Sequence, residues 1–138
     1  MSLLLLQRQL ERVEWLDFKR IGDYSMHAVK FEDAEVNLRS GNRMIVPKAL
    51  TETLEAGLVV RKKGEGTPLA SHPDEEEIYI ILKGKGRVRV GDEWREVSPN
   101  TALYIPRNAL HEIQCISEEP LEYIYIANWP DTKGIYRS

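Results

Sequence analysis

Residues 64–84 read GEGTPLASHPDEEEIYIILKG. A polar loop with glycine, proline and a run of acids leads straight into EIYIIL, residues 77–82. β-Branched and aromatic residues dominate that stretch, which predicts a strand. Its apolar run is unbroken, so the expectation is a strand covered on both faces. If the strand begins near Glu76, alternation puts Glu77, Tyr79 and Ile81 on one face and Glu76, Ile78, Ile80 and Leu82 on the other. One acid therefore falls on each face. A carboxylate turned into an apolar interior needs a metal, a base or a hydrogen-bond partner. His72, just upstream, and His111, which opens HEIQCIS, are the candidate companions. Two imidazoles and a carboxylate around open positions suit Fe(II) and related first-row ions.

Outward from this stretch, turn signals recur at short intervals: KKGEGTP, KGKG, VGDE, SPNT, PRNA and SEEP. Between them lie GLVVR, RVRV, WREV, ALYIP, HEIQCIS and LEYIYIAN, each short and rich in strand formers. That pattern predicts an all-β fold, an antiparallel sandwich or small barrel. The first 50 residues differ. Leu3, Leu6, Leu10, Val13 and Leu16 recur at spacings of three and four, the stripe of a short amphipathic N-terminal helix or arm. YSMHAVKF and NRMIVP then read as strands separated by a turn at RSGN. The end, NWPDTKGIYRS, is broken by proline and glycine and reads as a loop tail anchored by Trp129 or Tyr136.

The chain has 138 residues, 42% of them hydrophobic, enough for one domain with a real core and short for two. Residues 1–138 are thus read as a single domain, with an arm and first strands over 1–50 and the barrel core over 57–128. A net charge of -3 and a pI near 5.7 offer no concentrated basic face, so nucleic acid is not an expected partner. Cys115 is the only cysteine; no intrachain disulfide can form, and a reducing, cytoplasmic location is expected. The opening MSLLLLQRQL lacks the flanks of an export signal and the length of a membrane span. Its expected partner is a small-molecule substrate or ligand.

The spacing of these residues resembles a family. Residues 64–84, followed by NTALYIPRNALHEIQC over 100–115, are similar to the two cupin motifs, G-x5-H-x-H-x3,4-E-x6-G and G-x5-P-x-G-x2-H-x3-N. Gly64, His72, Glu77 and Gly84 match the first, and Ala70 stands in place of its leading histidine. Pro106 and His111 match the second, while Asn100, Asn108 and Cys115 stand where it has Gly, Gly and Asn. The resemblance implies a small β-barrel of the cupin, jelly-roll-like type, often a homodimer, binding one divalent transition metal (Fe, Mn, Ni or Zn) through histidines and a glutamate. Carried over residue by residue, the ligands are His72, Glu77 and His111.

Two functions follow as expectations. One is a metal-dependent enzyme on a small oxygen-bearing metabolite, dioxygenase-like or a Lewis-acid isomerase or lyase. The other is a binding module without turnover and with a degenerate metal site, which Ala70 favours. Tyr79 shares the Glu77 side of its strand and is the candidate catalytic proton donor. Asp74 does not match the spacing of the missing ligand. Tyr104 is a weaker pocket candidate, Cys115 reads as a buried thiol, and His27 as structural or exposed.

Overall fold

The structure, a computed structural model, describes residues 25–46 and 50–128. Among these residues, nine antiparallel strands form two sheets. They are β1 (Glu35–Val36), β2 (Arg43–Val46), β3 (Leu54–Arg61), β4 (Glu76–Lys83), β5 (Gly86–Val90), β6 (Glu93–Val97), β7 (Ala102–Ile105), β8 (His111–Cys115) and β9 (Leu121–Asn128). One sheet has the order β1-β2-β3-β9-β4-β7, the other β6-β5-β8. The fold is all-β, with a 3-10 turn at Phe31–Asp33. No described helix is long and apolar enough to cross a membrane.

β4 lies centrally, between β9 and β7. Its period-two alternation has the expected phase: Glu77, Tyr79 and Ile81 are buried, while Ile78 and Leu82 face out. Tyr79 and Ile81 join Val59, Ile105, Ile113 and Tyr123 in a core between the sheets. The expected cover on the second face differs. Ile78 keeps 42% of its surface exposed and Leu82 37%; the cross-strand neighbours of Ile78 and Ile80, Ile126 and Ile124, extend the same outer wall instead of covering it.

YSMHAVKF also departs from expectation. Residues 25–30 form no strand, and the chain turns through the 3-10 segment before the two-residue β1. Among the described residues no strand pairs with this segment. NRMIVP does become a strand, β2, after a turn closed by Gly41 N–H donating to the Asn37 carbonyl. The leucine stripe from Leu3 to Leu16, Trp129 and Tyr136 lie outside the described residues.

The long connection from β3 to β4 is what positions the site. Instead of crossing through solvent, residues 64–70 run antiparallel along β8, with bridges Gly66↔Gln114 and Ala70↔His111. Thr67 N–H donates to the Ile113 carbonyl at 2.9 Å, and Cys115 N–H to that of Glu65, also at 2.9 Å. Gly66 permits this approach, since a Cβ there would stand 2.4 Å from the Ile113 oxygen. The segment works as a strap that ties the first sheet's chain to the edge of the second.

Candidate metal centre

Glu77 enters the interior from β4, where its backbone pairs with Ile105 and Ala127. A strand hydrogen-bonded on both sides thus carries the acid. His111 opens β8, and His72 leaves the strap just before β4. The His72 backbone is held too, its carbonyl accepting from Asn108 N–H at 2.9 Å. Asn108 sits in the turn after Pro106 with φ 69°, and Asn100 has φ 67°. Left-handed backbone favours glycine, and asparagine tolerates it better than other side chains. Both asparagines at cupin glycine positions therefore preserve the turn geometry.

Three side chains from these elements converge. One ligand atom each from His72, Glu77 and His111 lies within 4.8 Å of the others. His111 Nε2 stands 3.5 Å from Glu77 Oε2, His72 Nε2 stands 4.0 Å from Glu77 Oε1, and the two imidazole centroids are 5.1 Å apart. Donors about 2.1 Å from one tetrahedral ion would sit about 3.4 Å from each other. The observed separations, slightly wider, fit an ion between the three better than a direct hydrogen bond, which needs about 2.7–3.2 Å.

The chemistry of the donors points the same way. His111 Nδ1 lies 3.0 Å from the Ala109 carbonyl oxygen. A carbonyl only accepts, so Nδ1 carries the hydrogen, and in the neutral ring that leaves the Nε2 lone pair facing Glu77. Lone pair facing carboxylate is repulsive until a cation, or an added proton, stands between them. Glu77 is 8% exposed and His111 5%. The residues present fit a divalent first-row ion.

Tyr79 lies beside Glu77. Burial above all, and then the nearby Glu77 charge, raise its hydroxyl well above the usual tyrosine value, and its hydrogen bond to that carboxylate adds to the effect. The phenol keeps its proton and donates a hydrogen bond to Glu77. The Tyr123 ring packs on it at 4.7 Å between centroids, and burial raises that hydroxyl as well.

Tyr104 points away from the centre. It is 55% exposed and donates to Glu76 at 2.9 Å on the outer wall. Cys115 is buried in the core cluster, with Sγ 3.5 Å from the Ser117 carbonyl oxygen. His27 is exposed, its Nε2 at 3.1 Å from the Ile45 carbonyl. Asp74 is not among the converging ligands. Glu75 is the surprise: it is buried, 3% exposed, with Oε1 3.5 Å from His72 Nε2. Glu75 lies one residue before β4 begins and continues the odd-numbered phase of Glu77, Tyr79 and Ile81; an expectation that starts the strand at Glu76 leaves it out.

The Cupin_2 family, described as a cupin domain, matches residues 57–127. The chain belongs to the cupin family. This cupin shares its fold with the Cnp3 cupin domain of Schizosaccharomyces pombe, at TM-score 0.67 and 16% identity, over 80% of this chain and 79% of that one. A glucose-6-phosphate isomerase of Thermococcus kodakarensis is 27% identical over 116 residues, 80% of this cupin and 56% of the isomerase. Mannose-1-phosphate guanylyltransferase 2 of Escherichia coli O157:H7 is 31% identical over 70 residues, 51% of this cupin and 14% of that enzyme. The cupin therefore spans only part of the length of these curated relatives.

Proposed function

We propose that this cupin binds one divalent first-row metal ion through His72, Glu77 and His111 and uses it on a small oxygen-bearing metabolite. The observation that carries the reading is the convergence of three ligand atoms within 4.8 Å from β4, β8 and the strap. Such an ion, when bound, supplies Lewis-acid polarisation of a substrate oxygen, or oxygen activation if it is iron. The Nδ1 hydrogen bond to Ala109 holds the His111 ring so that Nε2 faces inward. Tyr79 donates to Glu77 and so orients the carboxylate; its raised pKa makes it a positioning donor that keeps its proton at neutral pH. The core packed around Tyr79 and Tyr123 keeps water from that side.

Among substrates, a hydroxy-carbonyl sugar or sugar phosphate is the first class to test. The support is that a relative named as an isomerase of glucose 6-phosphate aligns over 80% of the chain. Isomerase chemistry thereby stands ahead of dioxygenation. A non-catalytic ligand-binding barrel is the second reading, favoured by Ala70 in place of a ligand histidine.

Protein purified without a tag should carry close to one metal per chain by elemental analysis. His111→Ala should lose it while keeping its circular dichroism spectrum. Absence of metal from the unaltered protein, even after reconstitution with iron, manganese, nickel and zinc, would overturn this reading and leave the binding module. Sugar phosphates are then assayed under air and under nitrogen, which separates isomerase from dioxygenase chemistry.

A further inference from the structure

We propose that Glu75 is a fourth protein donor and the residue that sets which metal this centre prefers, taking over the role that the chain gives up at Ala70. The inference rests on the metal-binding reading above.

Ala70 and His111 exchange both backbone hydrogen bonds, Ala70 N–H to the His111 carbonyl at 3.0 Å and His111 N–H to the Ala70 carbonyl at 2.8 Å. Directly opposed residues of an antiparallel pair project their side chains on one face, with Cβ atoms about 5 Å apart. Ala70 therefore projects on the His111 side, where its methyl offers no donor. Glu75 approaches the cluster from the other end of the same loop, at its His72 side and outside the three residues whose ligand atoms lie within 4.8 Å of one another. Its Oε1 stands 3.5 Å from His72 Nε2, the same separation as between His111 Nε2 and Glu77 Oε2. Its carboxylate is also among the most deeply buried charged groups described, at 3% exposure.

The consequence is a change of charge and hardness. Three histidines and one glutamate present one negative charge; two histidines with Glu75 and Glu77 present two, matching a dication. Carboxylate in place of imidazole favours harder, oxygen-seeking ions such as Mn(II) over the softer Ni(II) and Zn(II).

The test is calorimetric titration of Mn(II) and Zn(II) into the full chain, Glu75→Gln, Ala70→His and the double variant, with melting temperature as a fold control. Glu75→Gln should weaken Mn(II) at least about tenfold and Zn(II) less. Ala70→His should recover affinity strongly in the Glu75→Gln background, now with a preference for Zn(II), and do little in the native one. Such non-additivity marks two residues serving one position. Should Glu75→Gln fail to fold, Glu75→Asp, which keeps the charge but shortens the reach, is read in the same way. Unchanged or tighter Mn(II) binding in the Glu75 variants, or an equal gain from Ala70→His in both backgrounds, would overturn the proposal while leaving the metal centre intact. Failure of the unaltered protein to bind either ion would overturn both.

Discussion

At the scale of single residues, burial decides what each polar group of this centre can do. Tyr79 is the clearest case, since its hydroxyl is removed from water beside a carboxylate and ionisation in the folded state is opposed from two sides. Its folded pKa lies above the unfolded value of 10.0, so the unfolded chain releases this proton first as pH rises. Stability should be level through neutral pH and fall once pH passes about 10. Tyr79→Phe should weaken that alkaline decline, measured as melting temperature between pH 8 and pH 11; an unchanged slope would count against the assignment. Alternation in the sequence placed Glu77 and Tyr79 on one inward face because both lie within a regular strand. Glu75 obeys the same phase, two residues before Glu77 on the inward side; what hides it is the boundary, since alternation started at Glu76 leaves it out and the DEEE run otherwise reads as a solvated loop end. Asn100 and Asn108 looked like departures from the cupin pattern, yet the backbone angle is what the pattern demands, and asparagine meets it.

At the scale of elements, strand identity was legible wherever a partner strand existed. EIYIIL, RVRV and LEYIYIAN each became paired strands, whereas YSMHAVKF carried a similar signal and stayed irregular. Propensity proposes a strand, but a ladder of hydrogen bonds requires a neighbour. The strap over residues 64–70 shows the converse. Glycines and a proline marked it as a loop, yet it lies in hydrogen-bonding register against β8. Gly66→Ala tests what the strap does. A Cβ 2.4 Å from the Ile113 oxygen meets backbone, so the strap must move, at a cost of about 1–3 kcal/mol. His72 hangs from its end. We expect a lowered melting temperature accompanied by at least tenfold weaker metal binding; a stability loss with native affinity would show that the strap and the centre are uncoupled.

For the whole molecule, the outer wall of the six-stranded sheet is apolar and partly exposed among the described residues. Ile78 aligns with Tyr104 and Ile126, and Ile80 with Ala102 and Ile124, so one apolar surface crosses β7, β4 and β9. Charges sit at its ends: Glu76 bonded to Tyr104, and Lys83 paired with Glu122 at 3.4 Å. Between them the surface is neutral, so two chains of net charge -3 could meet there without opposing like charges. We infer a twofold homodimer across this wall, each copy presenting the same patch. Light scattering at micromolar concentration should give twice the 15.9 kDa chain mass, and Ile78→Glu should reduce it to the monomer with the barrel's spectrum preserved. A monomeric mass for the unaltered protein would refute the dimer. The all-β barrel was legible from turn spacing because short strands and frequent turns leave few other architectures. The pairing order of the sheets was not, since it depends on contacts far apart in the chain.

The placement of the three converging side chains carries one more consequence. Glu77 belongs to the six-stranded sheet, His111 to the three-stranded sheet, and His72 to the link from the strap to β4. An ion held by all three would act as a rivet through both walls, absent from any chain in which the walls have parted. Its grip would then be indistinguishable from part of the folding free energy, worth about 2.7 kcal/mol at a hundredfold excess over the dissociation constant. A cell short of metal would hold this barrel in a looser, shorter-lived form, and protein turnover would itself report on metal supply.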